Sequence, residues 1–420
     1  MNHYTRLASD PRKQSAVSCD LVDHLRRPVI PAPGSFTIAA AGATAVKRYA
    51  EHQRAVDLLE TMSTELLVNY NEFWARLSQD IASAERSVFV QTFAFEGDSV
   101  GKQLSAALLS ARAKDKRILA DSFTRFVLSD KLKYSPANFC NRELRREARE
   151  TDAMKQELEG AGVQIRFTNP VGVTPRRILS RNHKKLIVLD ERVAYIGGIN
   201  FSEHNAGWHD MMLRVEDATA AEFLGADFLA TWNGRDETSQ REFAGLELFT
   251  LDGRGNRQAF QRVLDLIDSA RQSIFVESPY ITFPFYERLR LAARRGVAVT
   301  LMTPEQNNWR FFRNYARLES ARSQIDLRLY LGGMSHLKAM LVDDEFLVAG
   351  SSNFDYFSYR IHQEILGIFT DRNLISEFRR RVMLPDLANA RSVECKASLA
   401  GQQLLNLQMR LLDAAMEVFT

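Results

Sequence analysis

The chain has 420 residues, 45% hydrophobic and 25% charged, a balance typical of a folded globular protein too long for one ordinary core. Its formal net charge of +3 argues against a dedicated nucleic-acid binder, but allows basic patches that face anionic lipid or phosphate. The cysteines, Cys19, Cys140 and Cys395, are widely spaced and offer neither a disulfide framework nor a zinc site.

The first 70 residues are predicted to form an N-terminal arm and a helix. Residues 1–35 carry several prolines and little periodicity, which is typical of a loosely docked arm. They show no apolar core resembling that of a signal peptide, so none is expected, and the apolar stretch from Phe36 to Val46 is too short to cross a bilayer. Apolar residues then recur at helical spacing from Lys47 to about Ser78.

An internal repeat divides the next 320 residues into two halves, 71–245 and 246–390. The segment from Ile81 to Val90 aligns with the segment from Ile267 to Val276, and each predicts the end of a helix followed by a strand. The pattern predicts an α/β fold with two pseudo-symmetric halves, each a mixed β-sheet flanked by helices.

Each half is predicted to run strand, helix, strand, helix, strand. In the first half these are Ser87 to Phe95, Gly101 to Lys114, Arg117 to Phe123, Glu143 to Glu159 and Val163 to Thr168. In the second half they are Ser273 to Ile281, Tyr286 to Arg295, Val297 to Thr303, Trp309 to Ser320 and Asp326 to Leu331. The first half is longer within about Ser122 to Glu159, where a charged stretch favours a solvated helix face over a phosphate patch. Residues 391–420 predict an amphipathic helix that docks on the body or a partner.

Both halves then carry one motif, His-x-Lys-x4-Asp-x6-Gly-(Gly/Ser)-x-Asn. Its members are His183, Lys185, Asp190 and Asn200 in the first copy, and His336, Lys338, Asp343 and Asn353 in the second. An extended segment places His and Lys on the same face. Matched spacing in two copies favours a two-fold site over a pair of ordinary core histidines.

These residue types suit reactions of a phosphodiester, which needs a nucleophile, a proton source and positive charge over the phosphoryl oxygens. Two imidazoles can share the first two tasks, and the two Lys and two Asn can contact the oxygens. No His-x-x-x-His or Cys-rich spacing is present, so neither a metal nor another cofactor is expected.

Asp210 and Glu364 follow the two motif histidines at nearly equal distances and are candidates for fixing the imidazole tautomers. Asp190 and Asp343 lie seven residues past their histidines, roughly 23 Å along an extended strand. That distance favours a structural part for these two acids, holding the turn that follows.

The twin motif resembles the duplicated HKD motif of the phospholipase D superfamily, from about Asn71 to Arg380. More narrowly it resembles bacterial cardiolipin synthases at Ala194 to Asn200, Trp208 to Asp210, Glu277 to Tyr280 and Gly350 to Asp355. One departure is Phe357-Ser358 where members commonly carry Arg-Ser, so one contact to phosphate or a neighbouring acid is expected to be missing.

The resemblance implies an active site between the halves and a phosphohistidine intermediate formed without metal. It implies a catalytic set of His183, Lys185, Asp190, His336, Lys338 and Asp343, with Asn200, Asn353, Asp210, Glu364 and Ser351 binding substrate or supporting that set. His183 is assigned as nucleophile and His336 as acid and base, and pseudo-symmetry leaves the reverse open.

The expected function is phosphatidyl transfer on a phospholipid such as phosphatidylglycerol. The protein is expected in the cytoplasm, bound peripherally to the anionic inner face of the cell membrane. Arginines interleaved with aromatic residues from Trp309 to Arg317 would suit headgroups at an acyl boundary, or stacked bases. The small net charge favours lipid over nucleic acid. Alternatives are a phospholipase D hydrolase, a nuclease of the same type, and a catalytically silent membrane-binding protein; no obligate protein partner is inferred.

Overall fold

The computed structural model describes residues 62–138, 140–173, 178–321 and 323–393. Most of the predicted N-terminal arm and helix, and the predicted C-terminal helix beyond residue 393, lie outside the described residues. The described chain begins with strand β1, Ser63–Val68, followed by helix α1, Asn69–Ser83. The single helix predicted up to Ser78 is therefore wrong over β1, because pairing with the first sheet overrides the helical spacing of its apolar residues.

The first half alternates helices and strands in the predicted order. After β1 and α1 come β2 (Ser87–Thr92), α2 (Ser99–Ser110), β3 (Asp115–Asp121), a 3₁₀ turn (Ser122–Arg125), β4 (Val127–Leu128), β5 (Lys131–Leu132), α3 (Arg142–Gly160), β6 (Gln164–Thr168), β7 (Leu186–Leu189), β8 (Val193–Gly197), α4 (Glu203–Ala206), β9 (Met211–Glu216) and α5 (Ala218–Trp232).

The second half repeats this series with additions at both ends. Its elements are β10 (Ser239–Phe243), β11 (Leu246–Asp252), α6 (Asn256–Ser269), β12 (Ser273–Glu277), α7 (Phe285–Arg294), β13 (Ala298–Pro304), α8 (Arg310–Ser320), β14 (Asp326–Tyr330), β15 (Ala339–Val342), β16 (Phe346–Gly350), α9 (Tyr356–Arg360), β17 (Gln363–Phe369), α10 (Arg372–Phe378), a π-helical turn (Arg379–Met383), α11 (Leu384–Ala388) and β18 (Ala390–Ser392).

The two halves share the order of seven strands, to which the second half adds β10 at one edge and β18 at the other. Within the described residues, one sheet has the order β1-β9-β8-β7-β2-β3-β6, and the other has β10-β11-β17-β16-β15-β12-β13-β14-β18. In each, two parallel pairs (β2-β3-β6 and β12-β13-β14) adjoin antiparallel strands. The predicted α/β fold of two mixed sheets is confirmed.

The inner faces of the two sheets share one apolar layer. Leu186 and Ile196 from the first sheet and Leu341 and Leu347 from the second are buried in the same cluster, to which α5 and α10 also contribute. Strand β8 contacts both β16 and β17 across this layer. The outer faces are covered by α1 to α3 in one half and α6 to α8 in the other.

Two predicted strands end early, and the reason bears on the site. The strand expected from Ser87 to Phe95 ends at Thr92, because Phe93 and Ala94 leave the sheet to line a cavity. Its counterpart in the second half ends at Glu277, and Tyr280 lines the same cavity.

The extra residues of the first half form the 3₁₀ turn, the β4–β5 hairpin and a longer third helix. On that helix Arg142, Arg145, Arg146 and Arg149 are exposed, and Arg146 pairs with Glu150 one turn on. This face is exposed to solvent, and the choice between a plain solvated face and a phosphate patch stays a prediction. Among the described residues, every helix is too short or too polar to pass through a lipid bilayer.

Candidate active site

The two motif segments lie just before β7 and β15, and each is bridged to the opposite half. Asn182 forms a parallel bridge with Gln363, and Ser335 forms one with His209. The His183 amide donates to the Gln363 carbonyl at 2.9 Å, and the His336 amide donates to the His209 carbonyl at 2.7 Å. Each motif histidine is therefore anchored beside the residue that precedes the other half's candidate acid.

As a result the acids are crossed between the halves. His183 Nδ1 lies 2.9 Å from Glu364 Oε1, and His336 Nδ1 lies 2.7 Å from Asp210 Oδ2. Sequence spacing identified both acids but left open which histidine each would hold. With Nδ1 engaged by a carboxylate, Nε2 is the ring nitrogen left to react with phosphorus.

The second residue of the Gly-(Gly/Ser) pair, Gly198 in one motif and Ser351 in the other, lies against the acid of its own half. A side chain at Gly198 would collide with the Asp210 carboxylate, so only glycine leaves room for that acid. The equivalent position in the second half is Ser351, whose hydroxyl donates to Glu364 Oε2. Ser351 therefore supports the acid, as predicted for a residue behind the catalytic set.

Both histidines open into one cavity of about 470 Å³. Asn200 and Asn353 line it as well, and much of the remaining wall is apolar or aromatic: Phe93, Phe123, Val127, Leu179, Trp208, Trp309, Phe312 and Phe357. Such a wall suits a lipid better than a nucleic-acid strand. The Asn200 side-chain oxygen accepts long hydrogen bonds, both 3.4 Å, from the Thr92 hydroxyl and the Ala94 amide. The expected contact of the two Asn with phosphate stays a prediction.

The motif lysines are buried behind the histidines. Lys185 Nζ donates to the His183 carbonyl at 2.9 Å, and Lys338 Nζ donates to the His336 carbonyl at 2.6 Å. Burial lowers the pKa of Lys185 to about 7 and that of Lys338 to about 8. Their direct contact with phosphoryl oxygens stays a prediction, but near neutral pH they place positive charge beside both imidazoles.

Burial and these cations favour the neutral form of both imidazoles. Burial, then Lys185 and Lys338, lower the pKa of His183 well below its usual value. Burial, then Lys338, lower the pKa of His336 to about 4. An anionic phosphate bound between them would act in the opposite direction and favour a protonated imidazole.

The two acids differ in charge state. Burial raises the pKa of Glu364 to about 7, although Lys185 opposes the shift. Burial would also raise the pKa of Asp210, but Lys338 and His336 outweigh it and leave that pKa below its usual value. His336 therefore has a partner that is fully ionised at neutral pH, whereas the partner of His183 titrates there.

The Phe357-Ser358 departure keeps a contact with the neighbouring acid. The Ser358 hydroxyl donates to Glu364 Oε1 at 2.9 Å. Phe357 stacks on His362 with ring centroids 5.9 Å apart. The expected loss concerns the arginine contact and stays a prediction, since phenylalanine supplies no charge where family members carry arginine.

Asp190 and Asp343 contact backbone outside the cavity. Asp190 accepts the amides of Glu85, Arg86 and Ser87 at 2.8 to 2.9 Å. Asp343 accepts those of Arg271, Gln272 and Ser273 over the same range of distances. The two acids hold the loops that enter β2 and β12, rather than the turns that follow them, and this geometry favours a structural role over a catalytic one.

His362 is a cavity residue that the sequence reasoning missed. Its ring centroid lies 5.7 Å from that of His183, and its Nδ1 lies 3.9 Å from Glu364 Oε1. It precedes Glu364 by two residues in an extended segment, so the period-2 rule could have placed both side chains on one face. Trp208, 4.9 Å from the His336 ring, was noted only as part of a resemblance.

His183, His362 and Glu364 also have ligand atoms within 4.8 Å of one another. The set is a poor fit for a divalent cation, because His183 Nδ1 and Glu364 are hydrogen-bonded together and Lys185 adds positive charge. The expectation of no metal stays a prediction.

Comparison with known proteins identifies a family and several relatives. Residues 77–232 and 263–383 match the family described as "Cardiolipin synthase, PLD-like domain". Cardiolipin synthase B of Escherichia coli K12 is 29% identical over 348 residues, 75% of this chain and 78% of that protein. Cardiolipin synthase 1 of Staphylococcus aureus strain COL is 26% identical over 352 residues, 77% of this chain and 67% of that protein.

A solved structure with the same fold is phosphatidylserine synthase of Haemophilus influenzae Rd KW20. It aligns with a TM-score of 0.60 at 15% identity, over 87% of this chain and 99% of that one. Because the family match spans both halves and both motifs meet in one cavity, the chain belongs to the phospholipase D superfamily, as a phosphatidyltransferase of the cardiolipin synthase type.

Proposed function

We propose that the protein moves a phosphatidyl group from the headgroup of one phospholipid to a hydroxyl of another lipid or polyol, through a phosphohistidine intermediate. The observation that carries the proposal is the pair of crossed contacts, His183 with Glu364 and His336 with Asp210, in one cavity. The matched relatives are named cardiolipin synthases, which supports phosphatidylglycerol or a similar lipid as the donor.

In the first half-reaction neutral His183 attacks phosphorus through Nε2 while Glu364 holds its Nδ1. A nitrogen–phosphorus bond forms, the bond from phosphorus to the headgroup oxygen breaks, and His336 gives its proton to the departing alcohol. Ionised Asp210 stabilises the imidazolium that this role needs, which favours His336 over His183 as the acid.

In the second half-reaction an acceptor hydroxyl attacks the phosphohistidine. Neutral His336 takes the hydroxyl proton, the nitrogen–phosphorus bond breaks, and His183 is released. Water in place of the acceptor would give phosphatidic acid, the product of a hydrolase. Lys185 and Lys338 oppose the negative charge on the phosphoryl oxygens in both steps.

The deciding experiment incubates purified protein with vesicles that contain labelled phosphatidylglycerol. A diphosphatidyl lipid with released glycerol supports transfer, whereas phosphatidic acid alone would establish the hydrolase instead. A parallel incubation with single-stranded DNA tests the nuclease alternative; cleavage of DNA without lipid turnover would overturn the proposal.

Acid quenching tests the intermediate and the roles of the two histidines. The His183→Ala variant should form no covalent phosphatidyl adduct and show no turnover. A label found on His336 and never on His183 would reverse the assignment of nucleophile and acid.

The same proposal places the reaction at the surface of an anionic membrane, because the donor and the acceptor lipid both reside there. The apolar cavity wall supports this location, and Arg310 on α8 is exposed beside it.

A further inference from the structure

The exposed large apolar side chains are concentrated in three short segments. Seven of the ten among the described residues lie within 126–134, 173–178 and 309–311. Val173 is 97% exposed, Tyr134 74% and Trp309 62%. We call these seven residues the apolar rim: Phe126, Leu132, Tyr134, Val173, Ile178, Trp309 and Phe311. Soluble proteins seldom gather such side chains without a binding role.

The three segments meet at the mouth of the active-site cavity. Val127, Ile178 and Trp309, one from each segment, line that cavity. The Asn308 side-chain amide donates to Asp130 at 3.3 Å and joins the first segment to the third. Described residues from all three segments therefore border one opening.

Aromatic rings continue from the rim to the catalytic centre. Phe311 contacts Phe312 with centroids 5.3 Å apart, and Phe312 contacts Tyr280 at 4.7 Å. Tyr280 in turn lies 6.4 Å from the ring of His336. Ring contacts therefore run from the exposed Phe311 to His336, and Asn308 and Asp130 line the same cavity.

Charge distinguishes a lipid surface from a second protein as the occupant of the rim. Arg125, Lys131 and Arg310 are exposed within or next to the rim segments, and the nearby acid Asp130 is already paired with His204. Aromatic side chains interleaved with cations suit the interface of an anionic bilayer.

We propose that the apolar rim enters the interfacial layer of an anionic bilayer, so that a phospholipid passes from the bilayer into the cavity without being released into water. This inference rests on the proposed function, and it names the surface through which the substrate arrives.

The test compares two variants on two forms of substrate. Leu132→Ser with Tyr134→Ser alters the rim at side chains that do not line the cavity, although Leu132 pairs with the cavity residue Val127; Leu384→Ser, 52% exposed and outside the rim segments, is the control. The rim variant should bind vesicles of equal phosphatidylglycerol and phosphatidylcholine about tenfold more weakly and turn them over correspondingly more slowly. Turnover of short-chain phosphatidylglycerol below its micelle concentration should be unchanged, and the control should match the parent protein on both.

Trp309 supplies an independent readout. Its emission should shift to the blue on vesicle addition and be quenched by lipids brominated on the acyl chains, and Trp309→Phe should bind vesicles with a smaller blue shift and less quenching, the remainder coming from Trp208 in the cavity wall. Unchanged vesicle affinity in the rim variant, or a blue shift and quenching in Trp309→Phe equal to those of the parent protein, would overturn the proposal. A vesicle-free dimer in ultracentrifugation that the rim variant abolishes would assign the surface to a second copy instead.

The two proposals fail separately. Vesicle binding through the rim without phosphatidyl transfer would refute the proposed function and support the membrane-binding role of the rim. Normal transfer on vesicles by the rim variant would refute the rim alone.

Discussion

At the scale of single residues, two equal motifs have unequal surroundings. His336 faces an ionised Asp210 that fits only because position 198 is glycine. His183 faces Glu364, and burial raises the pKa of that acid to about 7, so it is only partly ionised at neutral pH. The division into nucleophile and acid is thus made by the supporting residues, since the His, Lys, Asp and Asn of the motif are the same in both halves.

Replacement of the two acids should separate these roles. With the natural donor, Asp210→Asn and Glu364→Gln should each lower kcat by about 10² to 10⁴, the usual contribution of acid–base catalysis. With a p-nitrophenyl ester of phosphatidic acid, whose leaving group needs no proton, Asp210→Asn should recover most of the first-turnover burst. Glu364→Gln should not, because it still impairs the nucleophile.

Gly198→Ala should reproduce the Asp210→Asn pattern, because it displaces the same carboxylate. Recovery in Glu364→Gln rather than in Asp210→Asn would show that the histidines have the opposite roles.

The pH dependence should report the same groups. In the free enzyme the reactive form combines protonated His336, whose pKa is about 4, with ionised Glu364, whose pKa is about 7, so kcat/KM should be highest between these two pH values. It should fall as pH rises through about 7 to 8, where Lys185 and then Lys338 also lose their charge. The expected profile is a bell, measured with short-chain substrate at constant ionic strength.

Lys338→Arg is the matched variant for the alkaline limb. Arginine stays charged at these pH values, so the limb should move upward. A profile flat from pH 6 to 9 would contradict this account of the buried charges.

At the scale of elements, the acids at the ends of the motif strands hold the sheet together. Asp190 and Asp343 lie in tight hairpin turns with positive φ, at 54° and 51°, and each receives three backbone amides. Each acid therefore fixes the start of the neighbouring parallel strand relative to the motif.

Asp190→Ala should lower the free energy of unfolding by about 1 to 3 kcal/mol, the cost of leaving such donors without an acceptor. Asp190→Asn should cost less, because asparagine keeps one acceptor oxygen and tolerates positive φ. Urea denaturation measures the change, and kcat at low temperature should be nearly unaltered. A thousandfold loss of kcat with unchanged stability would instead make Asp190 catalytic.

Much of the element order could be read from the repeat, because the periodicity of each strand and helix is local. The helix predicted for Glu143 to Glu159 is observed as Arg142–Gly160, for example. Strand β1 and the early ends of β2 and β12 could not be read, because they depend on a partner strand or on the cavity. The pairing of each acid with the histidine of the other half could not be predicted for the same reason, because Gln363 and His209 reach the opposite motif through tertiary bridges.

At the scale of the whole molecule, the apolar layer between the sheets sets the position of one motif relative to the other. Ile196 is fully buried there, and a Cβ at Gly367 of the second half would lie 3.4 Å from its Cδ1. Close approach at this point keeps the two halves in the register that the crossed contacts require.

Ile196→Ala should lower stability by about 2 to 4 kcal/mol through the cavity it leaves. Because the halves repack, the variant should also have a lower kcat when activity is measured well below the melting temperature. Ile187→Ala is the control: it is equally buried but packs in the outer layer against helices, so it should lose stability and keep kcat. Equal effects of both variants on kcat would show that sheet packing does not set the site.

The crossed contacts also bear on how the chain is made. His183 is synthesised 181 residues before Glu364, and the Asp210 needed by His336 waits 126 residues for that histidine. A nascent first half that folds on the ribosome thus carries a complete motif and no working centre. Activity should arise in one step, once the second half has emerged and docked, and unfinished chains should be harmless to the lipids around them.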